Sequence, residues 1–201
     1  MKKISTKQMV SAAMILAMGV LLPMIFHVFG LAGAIFLPMH IPVLIGGFFL
    51  SPPLALLLGL LTPLLSSLIT GMPVLFPIAI VMIFELSVYG LVFSVMTRKY
   101  KVNVIISLLF AMVFGRISAA LSVHMMVLLF GIKMNPFIYI KGAIITGIPG
   151  IVIQIILVPM MIKAIENRKI SWDNAHQRWW GFTMICRPKI IHLELLSLNC
   201  V

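Results

Sequence analysis

Glu85, Arg116 and His124 are the most informative of the ionisable residues inside the long apolar stretches of this sequence. Placing such side chains among apolar neighbours costs free energy unless they face a cavity, a ligand or a partner. There they can transfer protons, form an ion pair or hold a polar molecule. We therefore treat them as the first candidates for a functional site.

A depth for each side chain follows from the helical rise of about 1.5 Å per residue. Measured from the outer ends of the helices predicted below, Glu85 lies about 12 Å deep and His124 at a similar depth. Arg116 and Gln154 lie deeper, at roughly 22 Å. Tyr89 is one turn from Glu85 on the same helix face. The predicted pocket is lined by Glu85, Tyr89, His124 and Thr146 and is floored by Arg116 and Gln154.

The same residues also fit a purely structural role. Glu85 and Arg116 can form a buried ion pair that fixes helix packing without any ligand. His124 can donate a hydrogen bond to a neighbouring carbonyl, and Gln154 can join two helices. The residues alone leave the structural and the ligand-binding interpretations open.

The composition requires a membrane environment for these residues. Of 201 residues, 62% are apolar and 9% are charged, whereas soluble domains are roughly half apolar and a quarter charged. The mean hydropathy is +1.21, and a water-soluble fold cannot bury so large an apolar fraction. Because the apolar stretches follow one another closely, we predict one membrane domain over 1–168 and a tail over 169–201.

Six apolar stretches are candidates for membrane helices, since a helix needs about 20 residues to cross a bilayer. The second and third are short, and Ser51-Pro52-Pro53 must break the helix between them. These two stretches can also form one bent re-entrant unit. We predict an all-α integral membrane protein with six transmembrane helices at 8–30, 38–50, 54–70, 77–97, 104–131 and 138–164.

Positive charges predict the orientation, because short cytoplasmic loops are enriched in Lys and Arg. Three basic clusters fall on one side of the six helices, at Lys2, Lys3 and Lys7, at Arg98, Lys99 and Lys101, and at Lys163, Arg168 and Lys169. The opposite loops 31–37 and 71–76 carry neither residue type, while the last one has Lys133, with Lys141 just inside the following helix. Both termini are thus predicted in the cytoplasm, and the net charge of +11 reflects topology rather than a nucleic-acid partner.

Sequence motifs for other kinds of chemistry are missing. Nothing matches a phosphate-binding loop, a nucleophile elbow or an HExxH helix, so we do not expect this chain to hydrolyse ATP itself. The histidines are scattered over different segments, and Cys186 and Cys200 lack the spacing of metal ligands. We expect no cofactor, no metal and no disulfide framework.

Three stretches together resemble the substrate-binding S components of energy-coupling factor (ECF) transporters. They are Leu37-Pro38-Met39-His40-Ile41-Pro42-Val43-Leu44, the segment from Thr62 to Pro73, and Phe114-Gly115-Arg116-Ile117. The resemblance covers about residues 5–168, and the two proline-rich stretches are typical of a vitamin-uptake subgroup. The tail after Arg168 departs from the short basic ending of that family.

The resemblance implies a six-helix bundle of the S-component type, a function and partners. Proteins of this family capture a vitamin or vitamin precursor outside a prokaryotic cell. They deliver it across the plasma membrane through a transmembrane coupling subunit and two cytoplasmic ATPases. The family's alanine motif in the first helix contacts the coupling subunit and corresponds to Ala13 and Ala17. Its vitamin site lies among helices four to six and the first outer loop, which adds His40 to the candidates.

Other functions stay open on the sequence alone. An intramembrane enzyme would use Glu85 and His124 as acid and base, and a structural subunit would use the polar residues for assembly. For a vitamin-binding subunit, an Arg116 that faces the pocket favours a carboxylate such as pantothenate or nicotinate, which guanidinium binds bidentately. An Arg116 neutralised by Glu85 leaves neutral pyrimidine, pyridoxine or flavin compounds open.

Overall fold

The regular structure in the described part of the chain is entirely helical. A computed structural model describes residues 5–28, 38–131, 141–142, 145 and 147–167, and no strand occurs among them. The predicted all-α class is confirmed. Expectations for Thr146, for the loop 31–37 and for the tail 169–201 concern residues outside the described part.

Six helices follow one another along these residues. They are α1 (Thr6–Val28), α2 (His40–Phe49), α3 (Pro52–Thr70), α4 (Ile80–Ser94), α5 (Val104–Phe130) and α6 (Gly147–Asn167). The segments Leu75–Ala79 and Val95–Lys99 extend α4 at its two ends, so the whole span is Leu75–Lys99. The compact unit that contains the residues discussed below ends at Ile162.

Five of the described helices are long and apolar enough to cross a membrane, and α2 is the exception. It has ten residues, which at 1.5 Å per residue reach about half of the ~30 Å hydrocarbon core. The structure thus supports five membrane-spanning helices where the sequence predicted six. A sixth crossing and the placement of both termini in the cytoplasm stay predictions.

The break between α2 and α3 occurs where the sequence predicts it. The backbone of residues 50–51 is extended. Pro52 and Pro53 begin α3, where their missing N–H groups have no helical acceptor to lose. The Ser94 hydroxyl of α4 donates a 2.8 Å hydrogen bond to the Leu50 carbonyl. The turn is therefore fixed to α4 as well as broken by the prolines.

The helix α4 packs against α2, α3 and α5, and its crossing with α3 is especially close. A Cβ atom added at Gly59 would lie 2.2 Å from the Leu86 carbonyl oxygen, and one at Gly90 would lie 2.4 Å from the Ala55 carbonyl oxygen. Small residues allow such approaches in membranes, where van der Waals packing drives helix association. This crossing holds α4 in the position from which its polar side chains project.

A large buried cluster joins α2, α4, α5 and α6. It consists of Leu44, Tyr89, Phe93, Leu108, Ala111, Met112, Val158 and Ile162. Glu85 lies one helical turn before Tyr89 on α4 and is itself 3% exposed. The acidic side chain therefore lies at the margin of this apolar core rather than on the surface.

The substitution Gly59→Ala tests the close crossing of α3 and α4. The added methyl group would overlap the Leu86 carbonyl, and overpacking of this kind costs about 1 to 3 kcal/mol. We expect a lower midpoint of thermal unfolding for the purified protein in detergent. Gly142→Ala is the control, since its added Cβ meets no described atom within 4 Å. Equal midpoints for the two variants would contradict the packing described here.

Candidate functional site

Two opposite charges meet inside the helix bundle. The Nη1 atom of Arg116 on α5 lies 2.9 Å from Oε1 of Glu85 on α4, and their side chains are 15% and 4% exposed. Each charge offsets part of the cost of burying the other. Instead of the two separate depths obtained by counting from helix ends, these side chains share one level.

His40 approaches the same carboxylate from a third helix, α2. Its Nε2 atom lies 3.6 Å from Oε1 of Glu85, and the residue is 1% exposed. His40 is the first residue of α2, so the N-terminal end of this short helix, with its partial positive charge, lies beside Glu85. We call His40, Glu85 and Arg116 the polar centre.

Tyr89 packs against His40 of the polar centre and against α5. Its ring meets the His40 ring edge to face, with centroids 5.2 Å apart and an interplanar angle of 89°. It also lies against Gly115, where an added Cβ atom would be 2.4 Å from Cε2 of the tyrosine. Gly115 thus allows the ring to contact α5 directly beside Arg116. This contact was not predicted from the sequence, although a small residue next to a buried arginine is a signal for close helix packing.

Gln154 on α6 faces the same region of the core. The residue is 1% exposed and shares a helix face with Ile151 and Val158, three residues before it and four after it. Val158 belongs to the buried cluster that contains Tyr89, and Ile151 packs against that cluster. The helix α6 therefore directs Gln154 towards the side of the core where Tyr89 lies.

His124 is not part of the polar centre. It is exposed on α5 and lies eight residues, or about 12 Å, along the helix from Arg116. The described charged and titratable groups that contact Glu85 are His40 and Arg116. An acid–base pair of Glu85 and His124, as an intramembrane enzyme would need, is therefore not formed in the described structure.

Several buried polar atoms of this region have no hydrogen-bond partner among the described residues. They are Nδ1 and Nε2 of His40, Nε and Nη2 of Arg116, and Nε2 of Gln154. Oε1 of Glu85 has no hydrogen bond of ideal geometry but is paired with Nη1 of Arg116 at 2.9 Å. Native proteins satisfy nearly all such atoms, because a buried group left unpaired costs about 1 to 3 kcal/mol. This concentration of unused donors and acceptors is expected of a site that binds a polar molecule.

The polar centre is poorly suited to a metal ion. His40 and Glu85 are in contact, but no described group of three or more His, Cys, Asp and Glu side chains converges. Arg116 lies against Oε1 of Glu85, the same oxygen that faces His40, and its positive charge repels a cation.

A comparison with known protein families matches the part of the chain that contains this site. A family model described as ECF transporter, substrate-specific component, matches residues 7–162. Comparisons with curated proteins and with solved structures gave no match. The matched range includes the polar centre, Tyr89, Gln154 and the alanine pair of α1, in agreement with the resemblance found in the three sequence motifs.

A double-mutant cycle on Glu85 and Arg116 tests their energetic coupling. Glu85→Gln leaves a buried guanidinium without a counter-charge, and we expect it to lower the free energy of unfolding by about 3 to 5 kcal/mol. Arg116→Gln should act similarly. The double variant removes both charges and should lose less than the sum of the single losses, as measured by unfolding in mixed detergent micelles. Strictly additive losses would show that the two side chains are not coupled.

Proposed function

The chain belongs to the substrate-specific components of ECF transporters, and from this premise we propose that it captures a water-soluble vitamin or vitamin precursor for ATP-driven uptake. Membership makes it a membrane subunit of a transporter rather than an enzyme. The proposal is carried by one observation: buried nitrogen atoms of His40, Arg116 and Gln154 lack hydrogen-bond partners among the described residues. The vitamin classes open from the sequence are pantothenate, nicotinate, pyrimidine, pyridoxine and flavin.

The surroundings of the polar centre suit a molecule of vitamin size. Ligand sites of this kind combine mainly apolar walls with a few convergent polar groups that fix orientation. Tyr89 and the apolar cluster around it can supply such walls. His40 and Arg116 supply donors, and the second nitrogen of the His40 ring supplies an acceptor. We infer that the substrate binds between α2, α4 and α5 and reaches towards Gln154 of α6.

The proposed partners are a transmembrane coupling subunit and two cytoplasmic ATPases. One side of α1 packs on the bundle, where Ile15 and Leu16 contact the cluster that includes Leu58 of α3. Ala13 and Ala17 are exposed. Small residues at positions i and i+4 lie on one helix face and allow another helix to approach closely. This exposure supports docking of the coupling subunit on Ala13 and Ala17.

The Glu85–Arg116 ion pair also fits a structural membrane subunit that binds no ligand. Such a subunit would have no use for the unpaired nitrogens of His40 and Gln154. The two functions differ in whether a small molecule accompanies the protein and whether His40 affects its binding.

Ligand capture can be tested on the purified chain and in cells. We expect the protein to release a vitamin or precursor on denaturation, identified by mass spectrometry, and cells with the ATPase module to take up the same labelled compound. His40→Gln should weaken binding about tenfold, the effect of losing a hydrogen bond worth about 1.4 kcal/mol. His124→Gln, at an exposed position, should not change binding. A chain that releases no compound and supports no uptake would contradict the proposal.

The docking face on α1 can be tested separately from the vitamin site. Ala17→Trp places a large ring where a partner helix must approach, so the coupling subunit should no longer copurify and uptake should fall to background. Vitamin affinity should be unchanged, because α1 is not part of the polar centre. Met18→Trp is the control, since residue 18 is exposed but turned about 100° around the helix from Ala17. Normal uptake with Ala17→Trp would exclude docking at this position.

A further inference from the structure

Within the described protein, the guanidinium of Arg116 contacts Glu85 and leaves one of its edges without a partner. Its Nη1 atom faces Glu85, while Nε and Nη2 are buried without hydrogen-bond partners among the described residues. Those two nitrogens form the side-on edge of the group, with two N–H bonds that point the same way. This edge matches the two oxygen atoms of a carboxylate, which guanidinium binds in bidentate fashion.

The ion pair with Glu85 leaves N–H donors of Arg116 available for a second acceptor. A guanidinium has five N–H donors, and the contact through Nη1 leaves the side-on edge available. The contact also limits rotation of the group, so Glu85 acts as a positioning residue for that edge. A second acceptor can therefore bind Arg116 in a fixed orientation while the ion pair stays intact.

The electrostatic environment of the polar centre favours an anion. Arg116 and Glu85 balance each other, and the start of α2 at His40 adds the positive end of a helix dipole, about half an elementary charge. The chain has four acidic residues in total, and the other three, Glu166, Asp173 and Glu194, follow α5 in sequence. Glu85 is thus the one acidic side chain in α1 to α5 that an incoming carboxylate meets. The positive charges of Arg116 and of the start of α2 already face Glu85.

The unused polar atoms are mainly hydrogen-bond donors. Arg116 offers two nitrogens, Gln154 offers its amide nitrogen, and a neutral His40 offers one N–H. The unused acceptor is the second ring nitrogen of His40, since Oε1 of Glu85 already faces Nη1 of Arg116 at 2.9 Å. A ligand that satisfies this set must carry more acceptors than donors. A carboxylate is such a group, because its two oxygens accept about four hydrogen bonds and donate none.

We propose that the substrate is a carboxylic acid, bound as its carboxylate to the Nε and Nη2 edge of Arg116 while Glu85 holds Nη1. This inference rests on the proposed function and narrows it. Among the compounds open from the sequence, it selects those with a carboxylate over the neutral pyrimidine, pyridoxine and flavin compounds. Gln154 and His40 then contact the rest of the molecule.

Two matched pairs of probes test the carboxylate directly: nicotinate against nicotinamide, and pantothenate against pantothenol. Each is titrated calorimetrically into the full chain in lipid nanodiscs. We expect an acid to bind at least about 100-fold more tightly than its neutral counterpart, because a buried site built for a polar group strongly rejects analogues that lack it. A neutral probe that binds as tightly as its acid overturns this inference but leaves the proposed function intact.

If none of the four probes binds, the compound released from the purified protein decides the matter by mass spectrometry. A carboxylic acid supports the inference, and a compound without a carboxylate overturns it. A protein that releases nothing and binds no probe overturns the proposed function together with the inference.

The substitution Arg116→Lys tests the edge itself. Lysine keeps the positive charge beside Glu85 but has no planar pair of N–H groups. We expect the preference for the acid over its neutral counterpart to fall from about 100-fold towards unity, whereas a purely structural role would not change this ratio. Arg98→Lys is the matched control, because Arg98 donates to the Phe49 carbonyl outside the polar centre. An unchanged preference in Arg116→Lys overturns the assignment, and the wild-type probe comparison tests it even if this variant does not fold.

Discussion

Arg116 and Glu85 meet between two helices of an apolar bundle, and neither charge is tolerable there without the other. For Nη1 and Oε1 to lie 2.9 Å apart, α4 and α5 must keep one relative register. The close crossing at Gly59 fixes α4 against α3, and Gly115 lets the Tyr89 ring lie directly on α5. Burial of the ion pair therefore depends on Gly59 and Gly115 in the helix interfaces. The ion pair in turn constrains the positions of α4 and α5 relative to each other.

Much of the fold could be predicted because membrane helices give strong sequence signals. Apolar stretches of about 20 residues located the helices that the structure shows at spanning length. The prolines after Ser51 located the break before α3. The second stretch was harder, since α2 extends over His40–Phe49 where 38–50 was predicted as a span. Apolar character alone does not distinguish a short spanning helix from one that begins inside the bundle.

The candidate site could be predicted in its residues but not in its geometry. Glu85 and Arg116 stood out because ionisable side chains are rare in apolar helices. Their contact did not follow from depth, since counting residues ignores the stagger of the helices and the length of an arginine side chain. The exposed orientation of His124 could not be predicted either, because depth along a helix gives no information on how the helix is rotated about its axis. Hydrophobicity does not distinguish the faces of α5, but its small residues Ser107, Ala111, Gly115 and Ala119 are spaced four apart and are all buried. That spacing is the sequence signal for the face that meets the neighbouring helices.

The two ends of α2 are attached to α4 in different ways, and this difference bears on ligand binding. At the C-terminal end, Ser94 donates to the Leu50 carbonyl and Arg98 to the preceding one, which satisfies groups that every helix end leaves unpaired. At the N-terminal end, His40 lies 3.6 Å from Glu85 and keeps both ring nitrogens free of hydrogen bonds to described residues. A ligand can therefore bond to His40 without breaking the attachment that holds α2 on α4. The anchor and the proposed ligand contact thus lie at opposite ends of one short helix.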